Sequence, residues 1–340
     1  MNIRAKPWYK KHLPKRILVI RLQAMGDVVI TLPYLQQLRR SLPPSTEIDF
    51  LTRQETAGIP RSIILFNTVM AIGGGRSFKR QLLYTILLLP RLFFKRYDVV
   101  IDLQNNILSR LVRKTILPRA WCEFDRFSPV AAGERNRLTI EAAGLGRNEL
   151  FTTFSLQNPG VGISTLKNNG WNGIDKLVVL NPAGVFKTRN WPLDNYVQFS
   201  KLWLQQFPGS MFLLLGLPLL KEKTAYLKKE LGFHLIDLVN KTSPADAFAI
   251  LQHASLVLSE DSGLMHMSWV SGIPTLALFG GTRSDWSRPL GDHSFFFDSS
   301  DLLCGNCMQE TCRFNDTRCL SRYSPEMVFA KALELMGSIK

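Results

Sequence analysis

The chain has no uncharged apolar run of about 18 residues, the length a membrane-crossing helix needs. Its basic first fifteen residues lack an apolar h-region, so they do not read as a signal peptide, and a cytoplasmic protein is expected. After the first strand candidate there is no G-x-G-x-x-G, no Tyr-x3-Lys pair and no ribose-binding acid about 20 residues on, which counts against a Rossmann-type dehydrogenase or epimerase. Cysteine is scarce at five residues, and no tandem repeat or low-complexity tract interrupts the chain. What remains, 340 residues with 46% hydrophobic content, suffices for two α/β domains with separate cores.

Acidic residues are also scarce, but only in one half. Residues 1–170 hold 26 Lys+Arg against 11 Asp+Glu, whereas 171–340 hold 16 against 16, so the formal +15 lies in the N-terminal half. RNP-like aromatics, helix-turn-helix spacing and an Arg-rich tail are all missing, so nucleic acid is not the expected partner. An anionic acceptor or an anionic membrane surface fits the charge better. Segment 76–96 clusters cations around an apolar middle, with Gln81 to Pro90 uncharged. It reads either as a helix lying in a membrane interface or as a core helix with basic ends that Pro90 stops or kinks.

Two loops carry the chemistry. Ser259-Glu-Asp-Ser-Gly-Leu-Met-His266 lies between a strand candidate at 256–258 and a helix start at Gly263. A strand that breaks into Asp-Ser-Gly and enters a helix aims N–H groups, a hydroxyl and the helix dipole at one spot suited to phosphate. The alternative is an N-cap followed by an ordinary βαβ turn. In the other half, a strand at 16–22 runs into Gln23-Ala-Met-Gly-Asp27 before a helical pattern over 28–40. With one glycine there, the group left for chemistry is the Asp27 carboxylate, unless it merely caps the helix.

Taken in order, Leu22-x-x-Met-Gly-Asp27, Asn181-Pro-Ala-Gly184, Lys187-Thr-Arg-Asn-Trp-Pro192, Asp261-Ser-Gly-x-x-His266 and Phe279-Gly-x-Thr282 resemble glycosyltransferase family 9. This is the family of the lipopolysaccharide heptosyltransferases, and the resemblance runs from about Arg16 to the C-terminal helix. It implies the GT-B architecture, two Rossmann-like doubly wound domains facing each other across a cleft. The division expected is an acceptor domain over 1–165 and a nucleotide-sugar domain over 174–340, joined by the Gly/Asn-rich linker 158–173. The implied activity is inverting, metal-independent sugar transfer, from an ADP-heptose-like donor onto a lipopolysaccharide core or related cell-surface glycan. Alternatives of other classes are a dehydrogenase or epimerase, and a non-catalytic membrane-surface or nucleic-acid binder on the same fold.

The resemblance assigns roles residue by residue. Asp27 is the general base, with Met25 and Gly26 on the acceptor side. Lys187 and Arg189 face the donor phosphates, Arg189 standing where the family has lysine. Asp261, Ser262 and Gly263 contact the nucleotide, Ser262 replacing a common Thr, and His266 lies in or beside the phosphate site unless it is a packed core residue. Glu222 falls near the family's ribose-binding acid. The partners implied are a nucleotide-sugar, an anionic glycolipid and, peripherally, the inner face of the cytoplasmic membrane. No cofactor is required by this chemistry. Cys304, Cys307, Cys312 and Cys319 cluster within sixteen residues and offer donors for a structural zinc or partners for a disulfide staple, or else stay reduced in a compact loop.

Parallel sheets are expected from strands at 16–22, 47–52, 69–72, 99–104 and 120–125, closed by a helix over 136–145, and from strands at 177–181, 211–216, 235–237, 256–259 and 275–279.

Overall fold

Apolar five-residue runs, buried almost throughout, centre two sheets in the computed structural model, which describes residues 1–337. The chain divides into two compact units, Met1–Gln157 and Asn158–Lys340. In the first, β1 (Arg4–Lys6), β2 (Arg16–Ile20), β3 (Glu47–Arg53), β4 (Thr68–Ile72), β5 (Val99–Asp102) and β6 (Ala120–Glu123) line up as β1-β6-β5-β2-β3-β4. In the second, β7 (Leu177–Asn181), β8 (Met211–Leu214), β9 (Leu235–Asp237), β10 (Leu256–Glu260), β11 (Thr275–Leu278) and β12 (Ser294–Phe297) line up as β12-β11-β10-β7-β8-β9.

Pairing is parallel among the described strands except at β1, which runs antiparallel to β6 with Arg4 opposite Glu123. That edge departs from the wholly parallel sheet expected; a short, exposed, charged strand covers the rim where a longer one would invite pairing. Without β1, both sheets have the doubly wound order. Their winding reverses between β2 and β5, and between β7 and β10. Ligands of such sheets bind at the carboxyl ends of the strands beside that reversal. Both loops singled out in the sequence begin there.

Three further expectations are corrected. Segment 158–173 contains the helix Gly160–Asn168, which belongs to the second unit. Gly162 there lies so close to helix Pro244–Leu251 that a Cβ would sit 2.4 Å from the Ala249 carbonyl. Glycine in this stretch thus serves close packing rather than a loose linker. The helix expected over 136–145 runs Ala132–Glu141, because Gly144 and Gly146 take positive φ and end it early. Strands β2, β5, β6 and β8 stop about two residues short, as their last residues turn out to build loops.

Helix Phe78–Phe94 answers the two readings of its segment with a division by face. Leu82, Leu88, Leu89 and Leu92 pack on a core that includes Leu18, Ile20, Val100, Leu108 and Val112. Leu83, Ile86, Leu87 and Phe94 are exposed. Pro90 neither stops nor ends it, and the helix runs on to Phe94. The carbonyl its missing N–H leaves without an intrahelical donor belongs to Ile86, an exposed residue.

Candidate active site

Beyond β2 the chain leaves the sheet at Arg21, and the N–H groups of Leu22 and Gln23 donate to Gln104 Oε1 (2.9 and 3.1 Å). The β5 end is itself turned by Asp102, whose buried carboxylate accepts N–H bonds from Gln104 and Asn105. These contacts bend both loops away from the sheet and open a cavity of about 640 Å³ inside the first unit. Helix Met25–Ser41 begins at its wall. Asp27 Oδ2 accepts the Ala24 N–H (2.8 Å), and Asp27 Oδ1 pairs with Arg21 Nη2 at 2.9 Å. Asp27 therefore does cap the helix, and its half-exposed carboxylate also faces the cavity. Met25 and Gly26 occupy the same first turn, half-buried, and are not among the lining residues.

Sequence reading missed the cations here. Arg21, Arg53, Arg76, Arg126 and Arg135 line this cavity against only two carboxylates, Asp27 and Glu55. Burial pushes the Arg21 and Arg135 guanidiniums down from the usual arginine range, while Asp27 pulls them back up. Arg21 and Arg135 both stack on Phe124, at 4.9 and 5.1 Å from its ring centre. Among the described residues, their Nε atoms are buried without a hydrogen-bond partner. Unspent donors beside a surplus of positive charge suit an anionic ligand. The signal available in sequence was the uneven charge, but these arginines are spread over more than a hundred positions.

In the second unit, four sequence motifs converge at the ends of β7, β10 and β11. The convergence is built on Glu260, the fully buried last residue of β10. Its carboxylate accepts the N–H of Gly184 (2.5 Å) and of Trp191 (2.7 Å). Gly184 is required, because a Cβ would lie 2.4 Å from the Arg189 carbonyl. Lys223 Nζ donates to the Pro182 and Gly184 carbonyls and to Asn190 Oδ1. Gly281 N–H donates to the Thr188 carbonyl (2.8 Å), tying in the loop after β11. Burial pushes the Glu260 carboxyl up to about 7 and lowers Lys223, each opposing the attraction between them.

The nominated residues are distributed around that knot. Ser262 caps helix Gly263–Val270, its Oγ accepting the Met265 N–H and an Asn181 Nδ2–H. The first-turn N–H groups of Gly263 and Leu264 then have no intrahelical acceptor. Asp261 is half-buried at the mouth of this turn. Lys187 and Arg189 form a single 3-10 turn, with Lys187 exposed and Arg189 over the Phe186 ring. His266 is buried, and its Nδ1 accepts from the Trp269 indole (3.1 Å), which favours the packed role weighed for it. Glu222 is exposed in the first turn of helix Lys221–Leu231, while its neighbour Lys223 reaches the loop.

The four clustered cysteines line a cavity of about 550 Å³ in the second unit. The zinc expectation does not match their arrangement. Among the described residues, no three Cys, His, Asp or Glu side chains come together as a metal donor set. The Cys319 thiol donates instead to the Thr188 and Thr317 carbonyls, and that of Cys312 to Asp316.

Known proteins resemble this chain in sequence and in fold. The chain is 24% identical to lipopolysaccharide heptosyltransferase 1 of Pseudomonas aeruginosa, over 94% of this chain and 98% of that protein. It is 27% identical to lipooligosaccharide heptosyltransferase 2 of Campylobacter jejuni, a match spanning 47% of this chain and about half (51%) of that relative. Its fold is that of the family 9 glycosyl transferase of Veillonella parvula, with a TM-score of 0.79, 18% identity and coverage of 95% and 97%. The same fold occurs in Escherichia coli heptosyltransferase WaaC solved with ADP-2-deoxy-2-fluoro heptose, with a TM-score of 0.68, 20% identity and coverage of 94% and 99%. The family model for glycosyltransferase family 9 (heptosyltransferase) matches residues 88–317, two thirds of the sequence, and the chain belongs to that family of glycosyltransferases.

Proposed function

We propose that this glycosyltransferase moves a heptose from an ADP-heptose-like donor onto a lipopolysaccharide core or related cell-surface glycan, inverting the anomeric centre. Asp27 takes the proton of the acceptor hydroxyl as that oxygen bonds to the anomeric carbon. The bond from that carbon to the diphosphate oxygen breaks, and the nucleoside diphosphate leaves with the electron pair. Lys187, Arg189 and the first-turn N–H groups after Ser262 meet the growing charge on the leaving group, in place of a metal ion. Asp261 holds the nucleotide, Glu222 is the candidate for the ribose, and His266 supports the turn from behind.

The observation that supports this reading best is the surrounding of Asp27. A carboxylate held by Arg21 and by a helix start opens into a cavity whose other arginines suit a phosphorylated acceptor. A glycolipid acceptor would bring the enzyme to the inner face of the cytoplasmic membrane. The donor side draws support from WaaC, which was solved with an ADP-heptose analogue.

Asp27→Asn tests the base. With the isosteric amide, kcat is expected to fall by about 10²-fold or more while nucleoside diphosphate affinity stays within a small factor. Turnover near wild type would remove Asp27 from the mechanism. A thermal-shift series with ADP-, GDP- and UDP-sugars tests the donor, since ligand at about 100 Kd adds roughly 2.7 kcal/mol of stability. Stabilisation by GDP- or UDP-sugars but not ADP-sugars would overturn the donor assignment.

A further inference from the structure

We propose that the outer face of helix Phe78–Phe94 is a docking surface for an anionic lipid bilayer. Its inner face is spent on the core, yet the opposite face is no more polar. Leu83, Leu87, Pro90 and Phe94 follow the i, i+4, i+7, i+11 spacing and form one row along the solvent side, with Leu83, Leu87 and Phe94 55%, 66% and 76% exposed. Tyr84, Ile86 and Phe93 flank that row and are also exposed. Single exposed apolar residues are ordinary on a protein surface; a continuous row along a five-turn helix is the mark of a partner.

Charge selects the partner. From position 56 to 97 the chain has no acidic residue, and its cations, Arg61 apart, cluster at the two ends of this helix. Lys79, Arg80 and Arg91 border the apolar row, and Arg76 and Arg96 extend beyond it. Lys95 is not part of this set: its Nζ is committed to the buried Asp49 carboxylate at 2.7 Å. An apolar row edged by cations of one sign fits a surface that is apolar a few ångströms down and phosphate-rich above. A second copy of the same face would bring like charges together and is disfavoured.

This inference deepens the proposed reading by naming the surface through which the enzyme meets a lipid-borne acceptor, and it rests on that reading only for its biological purpose. Full-length protein is floated with phosphatidylcholine vesicles containing phosphatidylglycerol, and with phosphatidylcholine alone. Binding is expected on the anionic vesicles and should weaken as salt rises from ~0.01 to ~0.15 M, where screening shortens from about 30 to about 8 Å. Lys79→Glu/Arg80→Glu should weaken it by at least about 25-fold, at about fivefold per surface cation. Leu87→Glu/Phe94→Glu should weaken it by roughly tenfold or more per side chain. Both variants should keep the wild-type melting temperature, nucleoside diphosphate affinity and turnover of a delipidated acceptor, so failure here leaves the transferase reading standing. The proposal is overturned if wild type does not float at low salt, if it floats equally with neutral vesicles, or if both variants float like wild type. A dimer in sedimentation that Leu87→Glu/Phe94→Glu splits would assign the face to a second copy and overturn it as well.

Discussion

Replacing Glu260 by Gln should flatten the pH dependence of stability in the window between the ordinary glutamate value, 4.5, and about 7. The carboxyl is fully buried; burial raises it to about 7, while Lys223 and the N–H groups of Gly184 and Trp191 pull the other way. Inside that window the native protein keeps a proton that the unfolded chain has released. Glu260 therefore contributes most below pH 4.5, and that contribution is lost as pH rises through 7. At about 1.36 kcal/mol per pKa unit, the loss is roughly 3 kcal/mol. Gln does not ionise, so it removes this slope. One of its two terminal atoms is a donor, however, and must meet either the Gly184 or the Trp191 N–H. That mismatch costs about 1–3 kcal/mol at every pH. The variant should thus be the weaker protein near pH ~5 and should match or exceed wild type near pH ~8. Urea denaturation of both proteins across this range measures the difference. Parallel stability curves for the two would refute the assignment of a raised carboxyl at Glu260.

Other outcomes follow from the same geometry. Arg189→Ala and Asp261→Ala should each weaken nucleoside diphosphate binding by roughly 1.5–3 kcal/mol, the range for a charge-assisted hydrogen bond; unchanged calorimetric affinity in both would misplace the donor site. Iodoacetamide near neutral pH should label Cys312 before Cys319. Backbone N–H groups of Phe314 and Thr317 lower the Cys312 thiol, whereas burial and then the neighbouring thiols push Cys319 up to about 11. Equal labelling rates in peptide mass spectrometry would contradict this ordering.

Much of the fold was legible because its signals are local. A run such as Arg16–Ile20 or Leu177–Asn181 needs only its own β-branched and leucine side chains to read as a buried strand. Glycine and Ser-Gly breaks at Gly26 and Ser262 marked where strands give way to helices. The weakest readings failed where tertiary packing overrode composition. The Gly/Asn-rich stretch holding Gly162 looks like a linker until Ala249 lies against it, and β1 exists only because the β6 edge is there to pair with.

The sequence by itself determined two α/β units, the two loops where a strand gives way to a helix, and the family that five ordered motifs resemble; that these loops lie where each sheet reverses its winding came from the strand order. Tertiary structure alone decided which side chains those loops would face. Glu260 reads as one more polar residue in a strand end, yet it binds Gly184 and Trp191, about seventy positions away, into one turn. Arg21, Arg126 and Arg135 share a cavity with Asp27 because three strand ends and a helix converge there, which no spacing along the chain encodes. Cations clustered around an apolar middle likewise gave a helix within 76–96 but not which face would be spent on the core. Burial against Leu18 and Val100 settled that, and left the apolar row and its cations on the outside.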